Sequence, residues 1–217
     1  MKTYAGAGVI PIIIHNNKPY FVMFMLNKGT LTDAGGKVED NTSVLDTAAR
    51  ELYEESAGLF NINSSILNKN SMYLDTIYKD NLYYRVYFVI FNNFNITDTK
   101  YYYDNLKKIK EEKFNPFSET RNICLMSFDY IHFVKDNGNN IILMNDHLNQ
   151  VLELSPRTTR IIKTIYNNFK DQYNFFDKLL KKINKITLKK LKKTVKSYTY
   201  NDYHKITIKD LDTFCNI

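Results

Sequence analysis

Apolar residues crowd the start of the chain into two runs, Tyr4 to Ile14 and Pro19 to Leu26, separated by His15, Asn16, Asn17 and Lys18. Runs rich in β-branched and aromatic residues, divided by polar turn formers, predict two strands joined as a hairpin. Gly29 to Lys37 is polar and glycine-bearing and reads as a loop. From Ser43 the period changes. Leu45, Ala48 and Leu52 recur at helical spacing with Ala49 beside them, which predicts a helix ending near Gly58. Met72 to Tyr78 and Leu82 to Phe91 form a second strand pair around Lys79, Asp80 and Asn81. Tyr103 to Glu112 reads as a short helix and Ile123 to Phe128 as a further strand. Strands, a helix and then more strands predict an α+β or α/β sandwich, with helices covering a mixed sheet.

The polar stretch Asp136 to Asn140, containing Gly138, marks a composition shift and divides the chain into a domain over 1–135 and a basic, mainly helical C-terminal extension over 136–217. Ser155 as cap and Pro156 in the first turn open one helix of that extension, with Ile161, Ile162, Ile165, Tyr166 and Phe169 as its apolar positions. A second helix is expected from Asp177 to Ser197. No apolar run approaches the roughly 20 residues of a membrane-spanning helix. The early lysine, glycines and proline do not match a secretory signal, so an intracellular, cytoplasmic protein is expected, in a cell or in a virus-infected one.

At 217 residues with a formal charge of +7, the chain favours polyanionic partners. The abundance of Asn, Lys, Ile and Tyr equally fits coding drift in an AT-rich genome. Between Lys178 and Lys196 stand nine lysines and no acid. Two readings fit this segment. Lys182, Lys185, Lys189 and Lys193 could grip an RNA backbone, with Tyr198, Tyr200 and Tyr203 stacking on bases, or they could form the solvated face of an amphipathic helix. An anionic membrane surface is a third option. The two cysteines, Cys124 and Cys215, are far apart, and the four histidines are scattered, so neither residue type is assigned to a metal.

The run Arg50, Glu51, Leu52, Tyr53, Glu54, Glu55 carries the chemistry. Helical spacing places Glu51, Glu54 and Glu55 on one face, while Leu45, Ala48 and Leu52 lie on another that docks on the sheet. Adjacent carboxylates resist joint ionisation unless a cation compensates them, and hard oxygen ligands suit magnesium or manganese. A solvated acidic helix face is the alternative. Upstream, Ala34, Gly35, Gly36 and Lys37 close a turn where absent side chains let backbone groups approach a ligand.

Together these residues resemble the Nudix box, written Gly, five residues, Glu, seven residues, Arg-Glu-aliphatic-x-Glu-Glu-x-Gly-aliphatic. Gly36 takes the first glycine, and Arg50, Glu51, Leu52, Glu54 and Glu55 take the core at the motif's spacing. Thr42 stands at the motif's first glutamate, with Glu39 and Asp40 nearby, and Ala57 stands at its late glycine, with Gly58 one place on. The resemblance implies a Nudix-like α/β/α sandwich and a pyrophosphohydrolase. It also implies that Glu51, Glu54, Glu55 and the Gly35 carbonyl hold Mg2+ or Mn2+, and that Arg50 orients Glu51. A general base is implied too, either a box glutamate such as Glu54 or a glutamate on a later loop, where Glu119 stands. Lys37 is expected to face substrate phosphate. The implied reaction is hydrolysis of a diphosphate linking a nucleoside to another group, with capped RNA as one substrate class. Free nucleotides and diphosphoinositol phosphates are another class, and a catalytically inactive RNA-binding module is the alternative of a different kind.

Overall fold

The computed structural model describes residues 2–15, 18–26, 30–91, 120–127, 142–145, 150–169 and 172–184. The expected hairpin is β1 (Tyr4–His15) paired antiparallel with β2 (Lys18–Leu26), in a register that sets Ile12 opposite Phe21. The second is β5 (Ser71–Lys79) with β6 (Leu82–Phe91). Asp80 and Asn81 make its turn with φ of 47° and 64°, the left-handed conformations that a tight two-residue hairpin demands and that Asp and Asn tolerate.

β6 then runs parallel to β1 along nearly its whole length, and β7 (Thr120–Ser127) pairs antiparallel with β2. Gly29 to Lys37, expected as a loop, instead contains two short strands. β3 (Thr30–Thr32) pairs with β2, and β4 (Ala34–Lys37) pairs with β1. They hold as strands because β1 and β2 offer them ladder partners, although their own sequence is too short and glycine-rich to show alternation. β8 (Ile142–Asn145) and β9 (Gln150–Leu154) join the same sheet, β9 running parallel to β3. The described part of the expected C-terminal extension therefore supplies strands as well as helices.

Both faces of this mixed sheet are covered, which is why β1, β2 and β6 read as continuous apolar runs. Ala7, Val9, Val22, Phe24, Tyr87 and Val89 point to one face. There they meet α1 (Val44–Glu55) through Ala48 and Leu52, and α2 (Ser64–Asn70) through Leu67. Ile10, Ile12, Phe21, Met23, Val86 and Phe88 point to the other, beneath α3 (Pro156–Phe169) and α4 (Gln172–Asn184). Phe175 of α4 seals that layer, its ring centroid 4.9 Å from Phe88 and 5.2 Å from Phe169. The result is the α/β/α sandwich with a mixed sheet. The helix expected at Tyr103 to Glu112 and the part of the second C-terminal helix beyond residue 184 lie outside the described residues. No helix among the described residues is long and apolar enough to cross a membrane.

Candidate active site

α1 starts where its sequence says it should. Ser43 is the cap, its Oγ accepting from the Asp46 N–H at 3.0 Å, and Asp46 in the first turn suits the positive end of the helix. Just before it, Thr42 Oγ1 donates to the Glu39 carbonyl at 2.7 Å and lies 3.2 Å from Thr47 Oγ1. Thr42, at the motif's glutamate position, thus ties the turn to the helix. At the far end, the N–H groups of Ala57 and Gly58 close on the Glu54 and Tyr53 carbonyls. Ala57 has φ 49° and Gly58 φ 80°. The left-handed exit that the motif's glycine would provide is kept by Ala57 in spite of its Cβ.

Two approaches bring the helix onto the glycine-bearing strand β4. A Cβ on Gly36 would stand 2.6 Å from the Glu51 carboxyl carbon, so only glycine lets that carboxylate lie against the backbone. One residue earlier, the Gly35 N–H donates to Glu55 Oε1 at 3.1 Å. Glu55 is therefore turned inward and buried, not held out to a cleft with its neighbours, and its Oε2 is buried with no hydrogen-bond partner among the described residues.

Arg50 gathers the remaining acids. Its Nη2 lies 2.7 Å from Glu51 Oε1 and 3.4 Å from Glu39 Oε1, and its Nη1 donates to Glu54 Oε2 at 2.8 Å. The expected contact from Arg50 to Glu51 is present, with Glu54 and Glu39 in addition. With Glu51 and Glu54 turned to Arg50 and Glu55 to Gly35, no three acidic, histidine or cysteine side chains among the described residues converge closely enough to enclose an ion. The donor set nevertheless fits a hard divalent cation. Buried carboxylate oxygens stand next to bare glycine backbone, and one of them lacks a partner, as a cation-binding oxygen would before its ion arrives.

Burial pushes the Glu55 carboxyl up to about 8, against the pull of the Arg157 guanidinium and the Gly35 N–H, with the Asp33 and Glu51 charges adding to the rise. Burial also raises Glu51, against the opposing charge of Arg50. In the unfolded chain Glu55 would ionise near 4.5. The folded state thus holds this proton more tightly, and the resulting stability is fully present below pH 4.5 and lost as pH rises through about 8. In chelator, thermal unfolding should show the protein losing up to about 1.4 kcal/mol per pH unit across this window. Glu55→Gln should flatten that slope, and an unchanged slope would contradict a neutral buried carboxyl.

Beneath β4 lies a polar network that sequence reasoning missed. Asp33, the single residue between β3 and β4, is fully buried. Its Oδ1 accepts from Arg157 Nε at 2.8 Å, and its Oδ2 accepts from Tyr84 Oη at 2.5 Å. Ser155 and Thr158, at the start of α3, complete the shell. Burial raises the Tyr84 hydroxyl well above its ordinary value, and the Asp33 charge adds to this, so it stays a donor. The sequence signal available was a charged residue in the first turn of a capped helix, but nothing local links it to Asp33.

Lys37 is exposed at the end of β4, on the same strand as Gly35 and Gly36. Glu119, Lys185, Lys189 and Lys193 lie outside the described residues, and Lys182 falls within α4 at a position whose side chain is not described.

No protein-family model matches the chain, and no curated protein matches it. Solved structures do. The chain is similar to a MutT/nudix family protein from Enterococcus faecalis, at 14% identity over 98% of this chain and 80% of that one, with a TM-score of 0.45. It is also similar to a C. elegans Ap4A hydrolase in a binary complex, at 16% identity over 57% of this chain and 80% of that one, with a TM-score of 0.37. A mutT/nudix family protein from Listeria innocua is similar at 13% identity over 78% and 96% of the two chains, with a TM-score of 0.39.

Proposed function

We propose that this protein is a Nudix-type pyrophosphohydrolase that cleaves a diphosphate linking a nucleoside to another group. The observation that carries this is the docking of α1 on β4: Glu51 lies against Gly36, and Glu55 lies on the Gly35 N–H with one buried oxygen left without a partner. A solvated acidic face would need neither the bare glycines nor the burial.

Glu51, Glu54 and Glu55, with the Gly35 carbonyl, would hold Mg2+ or Mn2+. Such an ion, when bound, polarises a phosphoryl oxygen and makes a nearby water more acidic. The chain's own residues do the rest. Arg50 fixes the Glu51 and Glu54 carboxylates through charge-assisted hydrogen bonds, so that neither must be ordered during the reaction. Glu54, the more exposed of that pair at 20% against 13%, is the box glutamate we assign to accept a proton from the attacking water. Glu119, on a later loop, is the other candidate for this role. Lys37 offers a positive charge to the phosphate. One water is consumed as one P–O bond of the diphosphate breaks and another forms at phosphorus.

For the other group we favour capped RNA. The support is compositional: nine lysines without an acid between Lys178 and Lys196 suit a long polyanion better than a free nucleotide. The deciding experiment is a product-resolved assay with Mg2+ or Mn2+ against capped RNA, nucleoside triphosphates, ADP-ribose, dinucleoside polyphosphates and diphosphoinositol phosphates. Metal-dependent release of a methylated guanosine diphosphate, weakening as salt rises, is the expected result. Cleavage of small substrates alone would move the assignment to a nucleotide hydrolase. Failure to cleave any of them would replace the enzyme with a binding module.

A further inference from the structure

We infer that Arg157, at the start of α3, is a positioning residue for the metal-binding carboxylates, and that the first turn of this C-terminal helix is part of the active site's framework. The inference rests on the pyrophosphohydrolase reading above and concerns a residue outside the motif.

Arg157 grips the segment between β3 and β4 at three points. Its Nε donates to Asp33 Oδ1 at 2.8 Å, and its Nη2 donates to Thr32 Oγ1 at 3.0 Å and to the Asp33 carbonyl at 3.2 Å. Thr158 adds a reciprocal pair, its Oγ1 accepting from the Asp33 N–H at 3.2 Å and lying 3.3 Å from Asp33 Oδ1. On the opposite side the Tyr84 hydroxyl donates to Asp33 Oδ2 and fills the space that a side chain on Gly8 or Gly35 would need. Asp33 is thereby held through its backbone and both carboxylate oxygens. Gly35, two residues on, is the residue whose N–H holds Glu55 and whose carbonyl would face the ion. A rigid Asp33 fixes where Gly35 sits, and Gly35 fixes Glu55.

The guanidinium also balances charge. Arg157 is the counter-ion of the fully buried Asp33 on this side of the strand, as Arg50 is the counter-ion of Glu51 on the helix side. A surface clip between helix and sheet would not need a fully buried acid, since an exposed ion pair contributes little. A planar fork spanning a carboxylate, a hydroxyl and a carbonyl is a task lysine cannot repeat.

The test is Mn2+ binding to the full chain, followed by the electron paramagnetic resonance signal of free Mn2+, in the unmodified protein, Arg157→Met, Arg157→Lys and Phe175→Leu. Groups that orient metal ligands from behind typically change affinity about 10–100-fold when removed. Arg157→Met should weaken Mn2+ binding by that factor and raise the metal concentration giving half-maximal turnover in step. Arg157→Lys, which keeps the charge and loses the fork, should fall between, and it carries the test if Arg157→Met does not fold. Phe175→Leu loosens the same helical layer without touching Asp33, and should lower the melting temperature while leaving Mn2+ affinity unchanged. If both Arg157 variants bind Mn2+ as the unmodified protein does, the inference is overturned and the pyrophosphohydrolase reading stands. If the unmodified protein binds no Mn2+, the metal site itself fails and the inference goes with it.

Discussion

Glu54→Gln is expected to lower kcat for the metal-dependent hydrolysis by about 10²–10⁴-fold, the range for removing a proton-transferring group, with little change in stability. Gln matches Glu in shape and can still accept from Arg50 Nη1, so what is lost is charge and basicity rather than packing. The site is only part-buried, and the exchange of one charged hydrogen bond there should cost no more than about 1 kcal/mol. Glu51→Gln should behave differently. Its carboxylate lies against Gly36 and bridges to Arg50, so it should raise the metal requirement as well as lower kcat. Steady-state kinetics over a range of Mg2+, alongside thermal melts, separate these outcomes. Turnover at the unmodified rate in a Glu51/Glu54 double Gln variant would sink the assignment of α1 as the catalytic helix.

The largest structural effect is expected from Gly35→Ala. A Cβ there would overlap the Tyr84 hydroxyl, and would stand 2.8 Å from the Gly8 Cα and 2.9 Å from the Ala7 carbonyl oxygen. Backbone on one side and a fully satisfied phenol on the other leave little room to yield, so the cost belongs at or above the upper end of overpacking penalties, about 3 kcal/mol. For a chain of this size that is a fall in Tm of about 6–12 °C. Tyr84→Phe on its own also destabilises, since Asp33 Oδ2 loses its donor. Combined, the two should cost less than their sum, because removing the hydroxyl vacates the space the new methyl needs. A double-mutant cycle by chemical denaturation measures that coupling, and strictly additive costs would mean the phenol is not the obstacle.

Where structure was local, it was legible. The two hairpins could be read because long apolar runs flank residues suited to turns, and Asp80 and Asn81 adopt the left-handed angles their side chains permit. α1 could be read from its period and from Ser43, and α3 from Ser155 and Pro156. β3 and β4 could not be, since three- and four-residue strands exist only through their pairing with β1 and β2. The spacing that put Glu55 beside Glu51 and Glu54 was correct as helix geometry but silent on depth. Glu55 faces inward because bare Gly35 offers it an N–H, and that depends on how the helix docks. Asp33 and Arg157 were missed for the same reason at longer range: 124 residues separate them, and each alone looks like an ordinary polar residue near a turn.

That separation bears on how the chain folds. The glycine-bearing strand β4 and α1 are made early, but two of the groups that hold Asp33, Arg157 and Thr158, are synthesised only after β9, and β9 itself pairs with β3. Until then a growing chain has β3 as an open sheet edge, the apolar face of Ile10, Phe21 and Phe88 uncovered, and a carboxylate without its counter-ion. Closing so many contacts across such a span is slow, and an open edge beside an uncovered apolar face invites association with other chains. The glycines of β4 and the acids of α1 stand early in the sequence, yet the network around Asp33 beneath them closes only when α3 packs back over the sheet.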